Sequence, residues 1–202
     1  MSQNISWKEK FLFIAHRGAS AYEPENTLKA FKRAIEIGAD AIELDVRRTR
    51  DNNVVVIHDD NLKRVAGIDK KISELTIEDL KKIKVMNSEP IPTLRDVLAE
   101  IGGKIPIFIE LKEEGLEEQV LSLIKEFKVA DMVLIISFIY DTLNKIKLLD
   151  PSIEIGLLTY RHPPPLKEAL KMKAFAILPR YNLITPMVIK ELHAKKLKVY
   201  TW

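Results

Sequence analysis

The chain has 202 residues, 47% hydrophobic and 30% charged, with a net charge of +3 and no cysteine. That suits one globular domain with a substantial core, and it excludes a disulfide framework and a thiolate metal site. No basic run is interleaved with aromatics, so nucleic acid is not an expected partner.

The first apolar run, Phe11–Ala15, is too short for a membrane span and lacks a signal-peptide layout. No stable membrane insertion and a cytoplasmic location are therefore expected. The run reads as a first strand ending in Ala15-His16-Arg17-Gly18. The segment "PENTLKAFKRAIEIG" follows with helical periodicity, Asn26 or Thr27 as its cap and Gly38 at its stop. Ala41–Val46, "AIELDV", reads as a second strand. Its Glu43 and Asp45, two apart, share one face, and Ile42, Leu44 and Val46 share the other.

Val54–His58 reads as a third strand. Arg47 to Asn53 is too short to hold a crossover helix, although an extended segment of that length could return along a barrel. Asp59 to Pro92 is long and carries its own helix, "TIEDLKKIK". Beyond it, helices ("TLRDVLAEIGG", "GLEEQVLSLIKEF", "DTLNKIKLL", "PPLKEALKM", "TPMVIKELHAKK") alternate with strands at Ile105–Leu111, Met132–Ser137, Ile153–Leu158, Phe175–Leu178 and Lys198–Trp202. Eight strands with helical crossovers predict an α/β fold of the (β/α)8 TIM-barrel type, as one domain over residues 1–202. An open doubly wound sheet is the rival, but no glycine-rich phosphate loop follows the first strand.

Polar groups recur at one end of the first four strands: His16 and Arg17, Glu43 and Asp45, His58 and Asp59, Glu110 and Lys112. Singly, each has a plain reading as a structural histidine, a solvated acid pair or a same-face ion pair. Together they carry more weight, because strand ends converge at the mouth of a barrel. His162 and His193 read as surface residues.

The stretches "HRGASAYEPENT", "GADAIELDV", "VVVIHDDNLKRV", "IPTL", "IELK" and "ISF" resemble, in that order, the glycerophosphodiester phosphodiesterase family. The resemblance implies a barrel that hydrolyses small-molecule glycerophosphodiesters to glycerol 3-phosphate and an alcohol. It implies Glu43, Asp45 and Glu110 as ligands of one divalent cation, Mg²⁺ or Ca²⁺ with Mn²⁺ as a third option. It implies His16 and His58 as the acid–base pair, Arg17 and Lys112 as phosphate-binding groups, and Trp202, with Tyr200 as the alternative match, as a substrate-side tryptophan of the last strand. Residues 59–92 match the family's insertion on the glycerol side. The family continues into a last helix that this sequence lacks after Trp202, and an uncovered barrel edge would favour a homo-oligomer.

Physical chemistry agrees with these roles. Close carboxylates resist joint ionisation, and hard oxygen ligands suit Mg²⁺, Ca²⁺ or Mn²⁺. Arg17 and Lys112 offset the charge that would repel a phosphodiester. Histidine takes and gives protons near neutral pH. The same polar set would serve phospholipase D-like head-group release from lysophospholipids. A non-catalytic barrel is the remaining alternative. The lysine-rich 59–92 segment shows no lipid-inserting face, which favours the soluble substrate.

Overall fold

A computed structural model describes residues 6–202. In chain order its elements are β1 (Ile14–His16), α1 (Leu28–Glu36), β2 (Ala41–Arg48), β3 (Val54–Val56), α2 (Lys63–Ala66), α3 (Ile77–Leu80), β4 (Lys84–Val85), β5 (Glu89–Pro90) and α4 (Leu94–Ile101). There follow β6 (Ile107–Leu111), α5 (Glu117–Phe127), β7 (Val133–Ser137), α6 (Tyr140–Leu149), β8 (Glu154–Thr159), α7 (Leu166–Lys171), β9 (Ala176–Pro179), α8 (Pro186–Ala194) and β10 (Lys198–Val199).

The main sheet is a curled parallel sheet in the order β1-β2-β6-β7-β8-β9-β10. The expected eight-fold parallel barrel needs correction at the third strand. β3 runs antiparallel to β2, with Val46 opposite Val56 and Arg48 opposite Val54. The cause lies in the pattern of backbone donors. Ala41 N–H bonds to Phe13 and the Asp45 carbonyl accepts from Ile57, so odd residues of β2 face one edge. Ile42 N–H bonds to Pro106 and the Val46 carbonyl accepts from Lys112, so even residues face the other. β1 ends at His16, and β3 takes up the edge that β1 leaves. A tight turn through Thr49 and Asn53 suffices, and no crossover is needed.

Side-chain parity divides the core. Ile42, Leu44 and Val46 pack outward against Phe31 and Ala34 of α1 and Leu94 and Val97 of α4. On the inner face Ala41 joins Phe108, Leu134, Ile136, Leu158 and Tyr200. β6 and β7 are buried along their whole length, as strands covered on both faces should be. β1 and β10 are the two ends of the sheet. Between them runs a groove of about 380 Å³ that includes Phe11, Leu12, Ile14, Lys198 and Tyr200. The predicted first strand therefore starts late: Phe11 and Phe13 stand exposed, packed edge-on against each other.

The segment after β3 has a small core of its own, built from Val55, Ile57, Leu62, Val65, Ile72 and Leu80. The helix expected over "TIEDLKKIK" is one turn only. Thr76 and Asp79 form a reciprocal cap, but the amides of Lys82 and Ile83 bond three residues back, which tightens the chain into a turn.

The loop leaving β1 is held close to α1. Ala19 N–H donates to Ala30 O at 3.0 Å. Arg17 and Gly18 both have positive φ, 59° and 79°. A Cβ on Gly18 would meet backbone atoms of Ala30 at 2.8 Å. Gly18→Ala should therefore lower stability by at least ~1 kcal/mol, through left-handed strain and a clash with rigid backbone. Urea unfolding of the two proteins checks this, and an unchanged midpoint would refute it.

Candidate active site

Strand parity brings the acids together. Glu43 and Asp45 point inward from β2, and Glu110 points inward from β6, where it sits directly opposite Asp45. One carboxylate oxygen from each lies within 4.8 Å of the others, and all three residues are buried. Asp45 is wholly buried and is held by several groups. Asn26 donates through Nδ2 to Oδ2 at 2.9 Å, and its Oδ1 accepts the Asp45 amide at 3.3 Å. Arg17 Nε stands 3.4 Å from Oδ2 and Lys112 Nζ 3.5 Å from Oδ1. Thr27, not Asn26, caps α1, which leaves Asn26 free for this task.

Lys112 also donates to Glu110 Oε1 at 2.7 Å, and the Arg17 backbone amide donates to Glu43 Oε2 at 2.9 Å. Even so, Glu43 Oε1 and Asp45 Oδ1 are buried with no hydrogen-bond partner. Burial, and then the charges of Asp45 and Glu110, push the Glu43 carboxyl well above the ordinary range. Burial likewise raises Glu110 to about 7, against the pull of Lys112 and with the push of Asp45. Two orphaned carboxylate oxygens beside a third acid are the donor set of a hard divalent cation, so these residues fit such an ion.

His16 and His58 line the same cavity as Glu43 and Glu110, together with Arg17 and Lys112. His16 Nε2 lies 3.9 Å from Glu43 Oε2. Burial, and then the adjacent Arg17 charge, push the His16 ring below the usual histidine value. His58 shares a 2.6 Å hydrogen bond between Nδ1 and Asp59 Oδ1. Arg47 steadies the His58 backbone by donating from Nε to its carbonyl at 2.8 Å. His162 and His193 are both exposed.

The cavity measures about 390 Å³. Trp202 lines it too. Its Nε1 donates to Leu178 O at 2.9 Å, and its ring meets Phe138 and Tyr160 edge-on at 5.4 and 4.8 Å. Sequence reading assigned no site role to Asn26, Glu25, Asp59, Arg64, Phe138 or Tyr160. Five of these six sit inside the quoted stretches "HRGASAYEPENT", "VVVIHDDNLKRV" and "ISF", so the signal was present in the motifs. Tyr160 sits in a loop with no pattern to mark it.

The chain matches the Glycerophosphoryl diester phosphodiesterase family over residues 16–202. It is 38% identical to a glycerophosphodiester phosphodiesterase of Caldanaerobacter subterraneus, across 96% of this chain and 85% of that protein. A glycerophosphodiester phosphodiesterase from Thermotoga maritima is similar in structure, with 30% identity and a TM-score of 0.81, covering 96% of this chain and 86% of that one. An Oleispira antarctica phosphodiesterase, solved with sn-glycerol-3-phosphate, gives 28% identity and a TM-score of 0.86, with 94% and 83% coverage. No described helix is long and apolar enough to cross a membrane. With the family match spanning nearly the whole chain and the acids, histidines and cations gathered at one mouth, the chain belongs to the glycerophosphoryl diester phosphodiesterase family.

Proposed function

We propose that this enzyme hydrolyses glycerophosphodiesters to glycerol 3-phosphate and an alcohol, with Glu43, Asp45 and Glu110 holding one divalent cation and His16 and His58 moving the protons. The observation that carries the reading is the trio of buried carboxylates, two of them with orphaned oxygens, whose Glu43 and Glu110 line one cavity with two histidines and two cations while Asp45 lies buried beside them. The Oleispira relative bound to sn-glycerol-3-phosphate supports the substrate class. Mg²⁺ and Ca²⁺ are the expected ions, with Mn²⁺ as a third candidate.

The bound cation would supply electrophilic stabilisation of charge on the phosphate oxygens. Arg17 and Lys112 add positive charge beside the acids and orient the anionic phosphodiester, Arg17 with a planar fork and Lys112 as a point charge. The low-lying ring of His16 favours its neutral form at pH 7. With its Nδ1 held by Asp59, His58 keeps Nε2 for proton exchange. One histidine takes the proton of the attacking hydroxyl, from water or from the neighbouring glycerol hydroxyl, and the other delivers a proton to the leaving oxygen. Trp202, with Phe138 and Tyr160, gives the substrate an aromatic wall. Residues 59–92 are an insertion within a single catalytic domain, and their first residue, Asp59, holds His58.

A second reading is head-group release from lysophospholipids. A human lysophospholipase D is 36% identical over 59% of this chain. The aromatic wall would suit a longer apolar substituent. Comparing product release from glycerophosphocholine and lysophosphatidylcholine separates the two.

His16→Ala and His58→Ala should each cut kcat by at least ~100-fold with folding intact. Steady-state kinetics beside circular dichroism is the check, and near-native rates would remove the histidines from the mechanism. Chelation should abolish activity, and Mg²⁺ or Ca²⁺ should restore it. Glu43→Gln or Glu110→Gln should raise the cation concentration needed for half-maximal rate.

Proton linkage gives a further expectation. In the metal-free protein Glu43 and Glu110 release their protons later than in the unfolded chain. The unfolded state then holds fewer protons, and stability falls as pH rises from about 4.5 through about 7. Melting temperatures of chelated protein should drop across that window, and added cation should reverse the drop. A flat or rising profile would argue against the buried acid trio.

A further inference from the structure

A set of charged hydrogen bonds runs around the mouth outside the acid trio. Its centre is Arg64, on α2 in the segment after β3. Arg64 Nε donates to Asp59 Oδ2 at 2.6 Å, while Nη1 and Nη2 donate to Glu25 at 2.8 and 2.7 Å. Asp59 in turn holds His58 Nδ1 at 2.6 Å. Glu25 also accepts from Arg17 Nη1 at 3.0 Å. One guanidinium therefore connects the histidine after β3 to the arginine after β1.

We propose that Arg64 is a positioning residue for phosphodiester cleavage, binding Asp59 and Glu25 at once so that His58 and Arg17 are held in register across the mouth. The proposal rests on the reading of His58 and Arg17 given above.

Three observations support it. First, Arg64 is anchored where it stands. Leu62 and Val65, on either side, are buried in the small core of the segment, so α2 cannot swing without exposing them. Second, the geometry needs a guanidinium. Three nitrogens of one planar group engage two carboxylates on two different loops, which a lysine ammonium on a flexible stem cannot reproduce. Third, the two carboxylates are only partly exposed, with 22% of the Asp59 side chain and 14% of the Glu25 side chain accessible. Without Arg64 Asp59 would lose its guanidinium partner, and Glu25 would be left to Arg17 alone. Arg64 therefore shares Glu25 with the arginine that has to meet the phosphate.

The consequence is a specific kinetic signature. Asp59 acts on His58, so Asp59→Asn should lower kcat with KM near the native value. Glu25 acts on Arg17, so Glu25→Ala should mainly raise KM. Arg64 acts on both, so Arg64→Ala should lower kcat by about 10-fold or more and raise KM several-fold, since small misplacements of catalytic groups cost up to ~100-fold. Arg64→Lys should recover only a small part of the loss. The Asp59→Asn/Arg64→Ala double variant should have a kcat no lower than about that of Arg64→Ala, because the two changes break one path.

Kinetics with glycerophosphocholine and excess Mg²⁺, beside thermal melts, provide the test. Retention of kcat and KM within about twofold in Arg64→Ala would overturn the proposal, as would multiplicative losses in the double variant. A fall in kcat with unchanged KM and a much lower melting temperature would also overturn it, since that is what a merely structural residue produces. If Arg64→Ala does not fold, Arg64→Lys bears the test, and native constants there refute the proposal. The underlying reading fails separately: in that case the native protein does not turn over, or His58→Ala is as active as the native protein. An inactive His58→Ala beside a fully active Arg64→Ala would remove the role of Arg64 alone.

Discussion

Three carboxylates held within 4.8 Å of one another in a buried site are the constraint to which the rest of the molecule is fitted. Like charges so close resist ionisation, and burial makes the conflict worse. The fold answers with two cations, Arg17 and Lys112, one amide side chain, Asn26, and one backbone N–H, that of Arg17. These do not complete the balance. Glu43 and Asp45 each keep a buried oxygen without a hydrogen-bond partner, and a buried polar atom left this way is costly. The arrangement makes physical sense as a site prepared for a doubly charged guest.

That preparation explains local features that look costly in isolation. Arg17 sits at φ 59° and Asn26 at φ 57°, both in the left-handed region that a non-glycine residue rarely adopts. The Asn26 N–H donates to the Arg17 carbonyl at 3.0 Å, which closes the loop between them. The strained loop aims one backbone amide at Glu43, one guanidinium at Asp45 and one carboxamide at the same acid. Local strain is offset by the contacts it makes possible at the site.

Much of this was legible in the sequence, and the failures have physical causes. Strand parity in "AIELDV" placed Glu43 and Asp45 inward and Ile42, Leu44 and Val46 against the helices, because a period of two is fixed by the pleat. Same-face pairing also foretold the Glu110–Lys112 contact. The direction of β3 was not legible. A short apolar run reads the same in both directions, and the choice was made by the unfilled edge of β2 beyond His16. The late start of β1 was hidden for a related reason. Phe11 and Phe13 look like strand residues, but strand propensity describes a pleated, half-buried surface, and these two side chains stand exposed.

The antiparallel turn of β3 also has a functional consequence. A parallel strand would have begun at the far end of the sheet and delivered its C-terminal residues to the mouth by a helix crossover. Here the chain turns back at Thr49–Asn53 and runs the other way along the edge that β1 leaves, so the residues after β3 emerge beside the residues after β1. His58 and Asp59 then stand within reach of Glu25 and Arg17 through a single side chain, Arg64. The small core under α2 keeps that side chain in place while leaving its head at the surface of the mouth, 46% accessible. A segment packed on its own core can vary in sequence and still hold two distant loops together, provided one planar cation remains to join their carboxylates. The strand that departs from the parallel pattern is thus the element that lets the segment after β3 take part in the site.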